Sequence, residues 1–262
     1  MKAVCLRDRD RIEAFLRRDA FLNIYQLGDL DDRFWPQTTW YALVEGNEIK
    51  AVALLYSSLS QPTLLAMGND EEASLVRGLL GSIVHLLPRS FYSHLGLGLA
   101  DTLAADYRVT SHGKHYMTAL TDTSKLDCLD TSAVVPLSAT NADELVRFYE
   151  ESYPSHWFEP RMLDTKQYFG IRGADGLVSV AGVHVYSEKY KVAALGNIAT
   201  HPAHRRTGCA TAAIAHLCRN LLKTVEHVGL NVKADNRPAI ACYQKLGFEI
   251  VGAYEEYSVD PL

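Results

Sequence analysis

The sequence lacks the features that mark several classes of protein. No apolar run reaches the ~18 residues that span a bilayer, because polar residues or glycine interrupt every long apolar stretch. The segment from Met1 to Asp10 carries Lys2, Arg7, Asp8, Arg9 and Asp10 and has no signal-peptide core. The five cysteines (Cys5, Cys128, Cys209, Cys218 and Cys242) are odd in number, and none stands in a C-x-x-C spacing. An even disulfide framework is therefore excluded, and reduced, mostly buried thiols in a cytoplasmic protein are expected. The ten histidines are scattered, none at metal-ligand spacing from a cysteine or carboxylate, so no metal is expected. Basic charge is scarce as well. There are 26 Lys+Arg against 31 Asp+Glu, and a net charge of −5 argues against a general nucleic-acid surface.

What is present is ordinary for a globular protein: 262 residues, 48% apolar and 22% charged. That length suits one large domain or two moderate ones. The polar, non-periodic stretch Thr121–Thr131 is the natural boundary, leaving roughly 130 residues on each side. In the second half, helical spacing over Asn141–Glu151 predicts a helix capped by Asn141. Leu177–Tyr186 and Val192–Thr200 read as a hairpin around Ser187-Glu188-Lys189. A helix is expected from Gly208 to Thr224, with Ile214, Leu217, Leu221, Leu222 and Val225 on its apolar face. A strand (Val228–Lys233), a short helix (Arg237–Leu246) and a final strand (Phe248–Val259) follow.

The first half gives a similar order. Helices are expected at Asp8–Arg18, Ala20–Asp31 and Asp70–Leu87, with a short one near Leu99–Ala105. Strands are expected at Thr39–Val44, Ile49–Tyr56, Thr63–Met67 and Phe91–His94, and from Tyr107 onward. The parallel order suggests a structural duplication.

The chemistry concentrates between Gly196 and Gly247. Gly196-Asn197-Ile198-Ala199-Thr200 leads through a turn to Arg205-Arg206-Thr207-Gly208-Cys209-Ala210 at a helix start. Unpaired amides there favour an anion, Gly208 lets the backbone approach closely, and the two arginines add donors. The pattern suits a pyrophosphate cradle; Arg-Arg alone would equally suit a solvated basic helix start. Asn236 can cap the next helix, Pro238 suits its first turn, and Gly247 ends it. Taken alone, Tyr243 on that helix reads as an amphipathic core residue.

Together these residues resemble the GNAT superfamily of acyl-CoA-dependent N-acyltransferases. Arg205-Arg206-Thr207-Gly208-Cys209-Ala210 is similar to the family's Q/R-x-x-G-x-G/A loop. Asn236, Ala239, Tyr243, Lys245, Gly247 and Phe248 resemble its second signature, N-x-x-A-x-x-x-Y-x-K-x-G-F. The resemblance covers roughly Ala133–Val259. It implies an α+β fold with a splayed, mixed, mostly antiparallel sheet flanked by helices, and acetyl-CoA as cosubstrate. By the same resemblance, Ile198, Ala199 and Thr200 would line the pantetheine arm, and an amide near Ile198 would meet the thioester oxygen. Arg205, Arg206, Thr207, Gly208, Cys209, Ala210 and Thr211 would hold the pyrophosphate, and Asn236 would orient the pantetheine. Tyr243 would protonate the departing thiolate while an amine attacks directly in a ternary complex, without a metal.

Some family members carry a glutamate on the fifth strand where this chain has Asn231, and Val192–Thr200 contains no carboxylate. His184 and Glu159 are therefore the candidate bases, with His156 a third. Ser155-His156-Trp157-Phe158-Glu159-Pro160-Arg161, followed by Tyr168 and Phe169, falls where this fold binds its acceptor. His156, Trp157, Phe158, Tyr168, His184 and Asn197 are the candidate substrate contacts, although Trp157 and Phe158 equally suit pinning a loop to the core. In the first half, Gly68-Asn69-Asp70-Glu71-Glu72 puts carboxylates where phosphate would sit. Residues 1–125 are thus expected to be a degenerate GNAT-like domain, as in glycine N-acyltransferase-like proteins, and 131–262 the catalytic one. The expected acceptor is a small-molecule or peptide amine, with no nucleic acid or membrane partner; a homodimer is left open. A longer acyl donor, or a non-catalytic acyl-CoA sensor, is the alternative.

Overall fold

The structure, a computed structural model, describes residues 1–57, 61–68, 71–154 and 156–262. The first half of the chain forms β1 (Lys2–Cys5), α1 (Arg9–Leu16), α2 (Ile24–Asp29), β2 (Thr38–Glu45), β3 (Glu48–Tyr56), β4 (Thr63–Ala66), α3 (Ala73–Ile83), β5 (Phe91–Gly96) and β6 (Tyr107–Leu120). The second half forms α4 (Ser124–Asp127), β7 (Val134–Pro136), α5 (Ala142–Ser152), β8 (Phe169–Gly173), β9 (Gly176–Ser187) and β10 (Val192–Thr200). It ends with α6 (Cys209–Leu221), β11 (His227–Lys233), α7 (Arg237–Lys245) and β12 (Phe248–Pro261).

Two compact units result. The first comprises Met1–Met117, Val232–Asn236 and Ile250–Leu262, the second Thr118–Asn231 and Arg237–Glu249. A single cut near Thr121–Thr131 therefore does not divide the chain. The long strands β6, β11 and β12 each start in one unit and end in the other. Both units repeat one arrangement: an antiparallel strand pair, then a helix joining two parallel strands. In the first unit these are β3, β4, α3 and β5; in the second, β9, β10, α6 and β11. The class is α+β, with a mixed and mostly antiparallel sheet flanked by helices.

In the first unit the strands run in the order β1-β2-β3-β4-β5-β12-β6. Alternate residues Ala51, Ala53 and Leu55 of β3 bury one face against Val76, Leu79, Leu80 and Ile83 of α3. Period two meets helical spacing there, and each large aliphatic side chain contributes roughly 1.5–3 kcal/mol. Asp8 caps α1 by accepting the Arg11 amide. The helix expected at Ala20–Asp31 shortens to Ile24–Asp29. Asp19 accepts the Leu22 amide, and Asn23 Nδ2 donates to the Leu16 and Asp19 carbonyls, so local side-chain bonds make a turn instead. Asp70–Leu87 becomes α3 with a closing 3₁₀ turn at Val84–Leu86, and Leu99–Ala105 only a 3₁₀ turn at Ala100–Thr102. Asn69 and Asp70 lie outside the described residues.

The second unit has the order β7-β8-β9-β10-β11-β6. Ala213, Ile214, Leu217, Cys218 and Leu221 form the buried face of α6. Asn141 does not cap α5 with its side chain. Its Oδ1 accepts the Ser138 amide in a capping box around a preceding 3₁₀ turn. The thiols are free, but only Cys218 is buried; Cys5 and Cys128 are exposed, correcting the expectation of mostly buried cysteines. Among the described residues no helix is long and apolar enough to cross a membrane.

Candidate active site

The site forms where β10 leaves β11. The parallel pair runs from Val192 opposite His227 to Leu195 opposite Leu230. Among the described residues, Gly196–Thr200 has no further pairing on that side, which leaves a row of strand groups open. On the other side β10 bulges against β9. Gly196 faces Gly182 and Ala199 faces Val180, three steps against two. The extra residue lies at Asn197–Ile198, and Asn197 has φ +51°. Asparagine tolerates this left-handed conformation better than most non-glycine residues.

Three contacts fix the bulge. Tyr149 Oη on α5 donates to the Asn197 carbonyl at 2.6 Å. Asn197 Nδ2 donates to Tyr168 Oη at 2.9 Å, and Tyr168 Oη donates to the Val183 carbonyl at 3.0 Å. Because the single Tyr168 proton goes to Val183, its oxygen accepts from Asn197, which fixes the amide orientation. Burial pushes both phenols above the ordinary tyrosine range, so both remain protonated.

Gly182 and Gly196 make this packing possible. They are register partners, and a Cβ on either would collide with a ring: Tyr168 lies over Gly182 and His184 over Gly196. Ile198 and Thr200 are half-buried whereas Ala199 is buried, its carbonyl accepting from Ser179 Oγ at 3.1 Å. His184 therefore rests on β10 immediately before the bulge.

Beyond Thr200 the chain turns into α6. The His201 ring accepts the Ala203 amide at 3.3 Å, and Thr207 Oγ1 donates to the His204 carbonyl at 2.6 Å. Arg206 (φ +66°) and Gly208 (φ +88°) bend the loop. A Cβ at Gly208 would meet nothing within 4 Å, so backbone conformation, not space, calls for glycine there. Arg205, Arg206 and Thr207 are exposed. The amides of Cys209, Ala210 and Thr211 open the helix without carbonyls one turn back. The loop is thus an exposed, cationic helix start fitted to a phosphate-bearing ligand.

Tyr243 is buried on α7, its ring 6.0 Å from that of Phe248. Burial, with smaller effects from Cys242 and Tyr153, raises its pKa, so it stays protonated across the physiological range. Asn236 immediately precedes α7 and is exposed. In the aromatic segment, His156 stacks on Tyr149 at 5.1 Å and its Nδ1 accepts the Phe158 amide at 3.1 Å. Phe158 is buried between Tyr149 and Tyr168. Trp157 is 49% exposed, and Glu159 is engaged by Arg161. Ser155 lies outside the described residues.

The structure thus joins His156, Phe158, Tyr168, His184 and Asn197 around the bulge. Trp157 turns to solvent, and the Glu159 carboxylate is committed to a neighbouring guanidinium. Tyr149 and Met162, whose Sδ lies 3.4 Å from Asn197 Nδ2, complete the cluster unforeseen. Tyr149 had been read only as part of an apolar helix stripe, and its hydroxyl carries no sequence signal. In the first unit all four residues of β4 pair with β5, from Thr63 opposite Tyr92 to Ala66 opposite Leu95. Among the described residues, no part of β4, the counterpart of β10, lacks a partner on that side.

Among curated proteins, none matches this sequence. Several solved structures share the fold over nearly the whole chain. A Drosophila protein aligns at TM-score 0.72 and 13% identity, covering 99% of this chain and 98% of that one. A tandem GNAT protein from the clavulanic acid biosynthesis pathway gives 0.57 and 18%, covering 98% and 97%. A GCN5-related N-acetyltransferase from Sphaerobacter thermophilus gives 0.58 and 13%, covering 98% and 94%. At these identities the likeness concerns fold alone. Residues 137–248, which contain the bulge, the open strand edge, the α6 loop and Tyr243, match the Acetyltransferase (GNAT) family.

Proposed function

We propose that the second unit transfers an acetyl group from acetyl-CoA to a primary amine. The family supports acyl-CoA-dependent N-acyl transfer in general. The observation that carries the specific reading is the open edge Gly196–Thr200 beside the α6 start, with the buried phenol of Tyr243 retained.

Acetyl-CoA supplies the acetyl group as an activated thioester. Ile198 and Thr200 offer backbone groups to the pantetheine arm, and the Ile198 amide, turned by the bulge, donates to the thioester oxygen as charge gathers there. Arg205, Arg206 and the first-turn amides of α6 bind the pyrophosphate. Tyr243 holds the proton that passes to the leaving thiolate. His184 is the base or proton relay for the amine. It lies beside the bulge, whereas Glu159 is engaged by Arg161 and His156 Nδ1 by a backbone amide.

Incubation of the whole chain with acetyl-CoA and a panel of small amines, amino acids and peptides tests this reading through release of free CoA. Amine-dependent release supports it. Tight CoA binding with no release across the panel would favour an acyl-CoA sensor. Release only from longer thioesters would keep the chemistry and change the donor. We propose a small-molecule or peptide amine as the acceptor and the cytoplasm as the compartment.

A further inference from the structure

The pairing of β9 with β10 contains a second irregularity, opposite in sense to the one at Asn197–Ile198. Ala194 faces Val185 but Leu195 faces Val183, one step along β10 against two along β9. His184 is therefore the extra residue of β9, and a bulge re-aims the side chain it carries. The two bulges cancel. Ala194 opposite Val185 and Ala199 opposite Val180 keep one register, and the pairs Leu195–Val183 and Gly196–Gly182 lie shifted between them. In that short stretch the His184 ring covers Gly196 and the Tyr168 ring covers Gly182. Because the register is the same on either side, a regular ladder needs only a local shift. Leu195 would then face His184 and Gly196 would face Val183, and the side chains between the bulges would be re-aimed.

Tyr168 favours the bulged arrangement over the regular one. Its hydroxyl donates at 3.0 Å to the carbonyl of Val183, the residue just before His184. The same oxygen accepts at 2.9 Å from Nδ2 of Asn197, in the bulge of β10. One hydroxyl thus bonds both bulges, giving its proton to one strand and a lone pair to the other. Tyr149 bonds the Asn197 side alone. Tyr168 is 0% exposed, so its part is support rather than contact with an acceptor amine. We propose that the Tyr168 hydroxyl is a positioning group that locks the two bulges as one unit, setting His184 and the Ile198 amide together. The catalytic consequence rests on acetyl transfer by the second unit as proposed above; the lock does not.

Tyr168→Phe tests the lock on the whole chain. It takes this donor from the Val183 carbonyl and, among the described residues, leaves Asn197 Nδ2 only the Met162 thioether at 3.4 Å. Histidine labelled with ¹³C at Cε1 and isoleucine labelled with ¹⁵N report the two bulges, and His184→Gln and Ile198→Val assign their signals. Both signals should shift, while those of Ile83 and His85 in the first unit stay in place. Asn197→Gly accepts φ +51° and removes only the amide, so it keeps the test decisive where Tyr168→Phe does not fold. It too should move the His184 signal, on the opposite strand. A shift at one bulge alone in Tyr168→Phe, or an unmoved His184 signal in Asn197→Gly, overturns the lock. In turnover, Tyr168→Phe should lower kcat about tenfold or more with CoA affinity nearly unchanged. An unchanged kcat, or an equal loss of CoA affinity, overturns the positioning role. A native chain that acetylates no amine overturns the proposed function instead, and the two signals still decide the lock.

Discussion

The Tyr149 hydroxyl donates to the Asn197 carbonyl at 2.6 Å, joining the buried face of α5 to the one residue of β10 held in the left-handed conformation. Asn197 is 3% exposed and its Oδ1 finds no partner among the described residues, so the bulge carries an uncompensated polar group. Such sites persist only when their surroundings over-determine them. Here Tyr149 and Tyr168 do so from two elements.

Tyr149→Phe tests that link. It leaves the Asn197 carbonyl without its donor and should destabilise the fold by about 1–3 kcal/mol in denaturant unfolding. If the bulge aims the Ile198 amide, turnover should fall about tenfold or more while CoA affinity changes little. Equal losses in kcat and CoA affinity would show that Tyr149 only supports the fold.

Gly196→Ala probes His184 without altering any ionisable group. The new methyl displaces the imidazole from β10, at a cost of about 1–3 kcal/mol in stability. The expected outcome is kcat/KM lowered about tenfold or more with near-normal CoA affinity. An unchanged kcat/KM would remove His184 from the base role.

Tyr243→Phe removes a phenolic proton and little volume. Turnover should drop by about 10²-fold with near-normal CoA affinity, because the hydroxyl acts on the leaving group. An unchanged rate would exclude it as the acid.

How much of this was legible in the sequence follows from the range of the interactions. The α6 loop and α7 were readable because caps, glycines and apolar spacing act within a few residues. The strands β7 and β8 were not foreseen, since three and five residues carry too little periodicity and their pairing is set by distant β9. Asn197 could be named but its bulge could not. That requires Tyr149, 48 residues away, and Tyr168, 29 residues away. The exchange of strand segments between the units was also hidden, because a 14-residue strand such as β12 reads the same wherever it pairs.

Two carboxyl groups of the first unit should give its stability opposite pH dependences. Burial raises the Asp29 pKa from 3.8 to about 8. Folded Asp29 therefore keeps a proton that the unfolded chain releases, and this term falls as pH rises from about 4 to 8. Burial would likewise raise Glu256, but His94, the Tyr92 hydroxyl, His115 and Tyr254 more than offset it and hold it low. Its contribution is present above the unfolded value of 4.5 and is lost as pH falls through the folded value. Unfolding measured from pH 3 to 9 should show Asp29→Asn gaining on the native chain toward pH 8. Glu256→Gln should flatten the acid limb. Parallel curves for all three proteins would contradict both assignments.

The most direct measurement is calorimetry of acetyl-CoA binding to the whole chain, beside Gly208→Ala. The variant forces an L side chain into φ +88° at the start of α6, a strain of about 1–2 kcal/mol that disturbs the phosphate loop while leaving Tyr243 in place. The expected result is one site per chain, with affinity weakened about tenfold or more in the variant. No binding at millimolar acetyl-CoA, or equal affinity in both proteins, would contradict an acyl-CoA site at the open edge of β10.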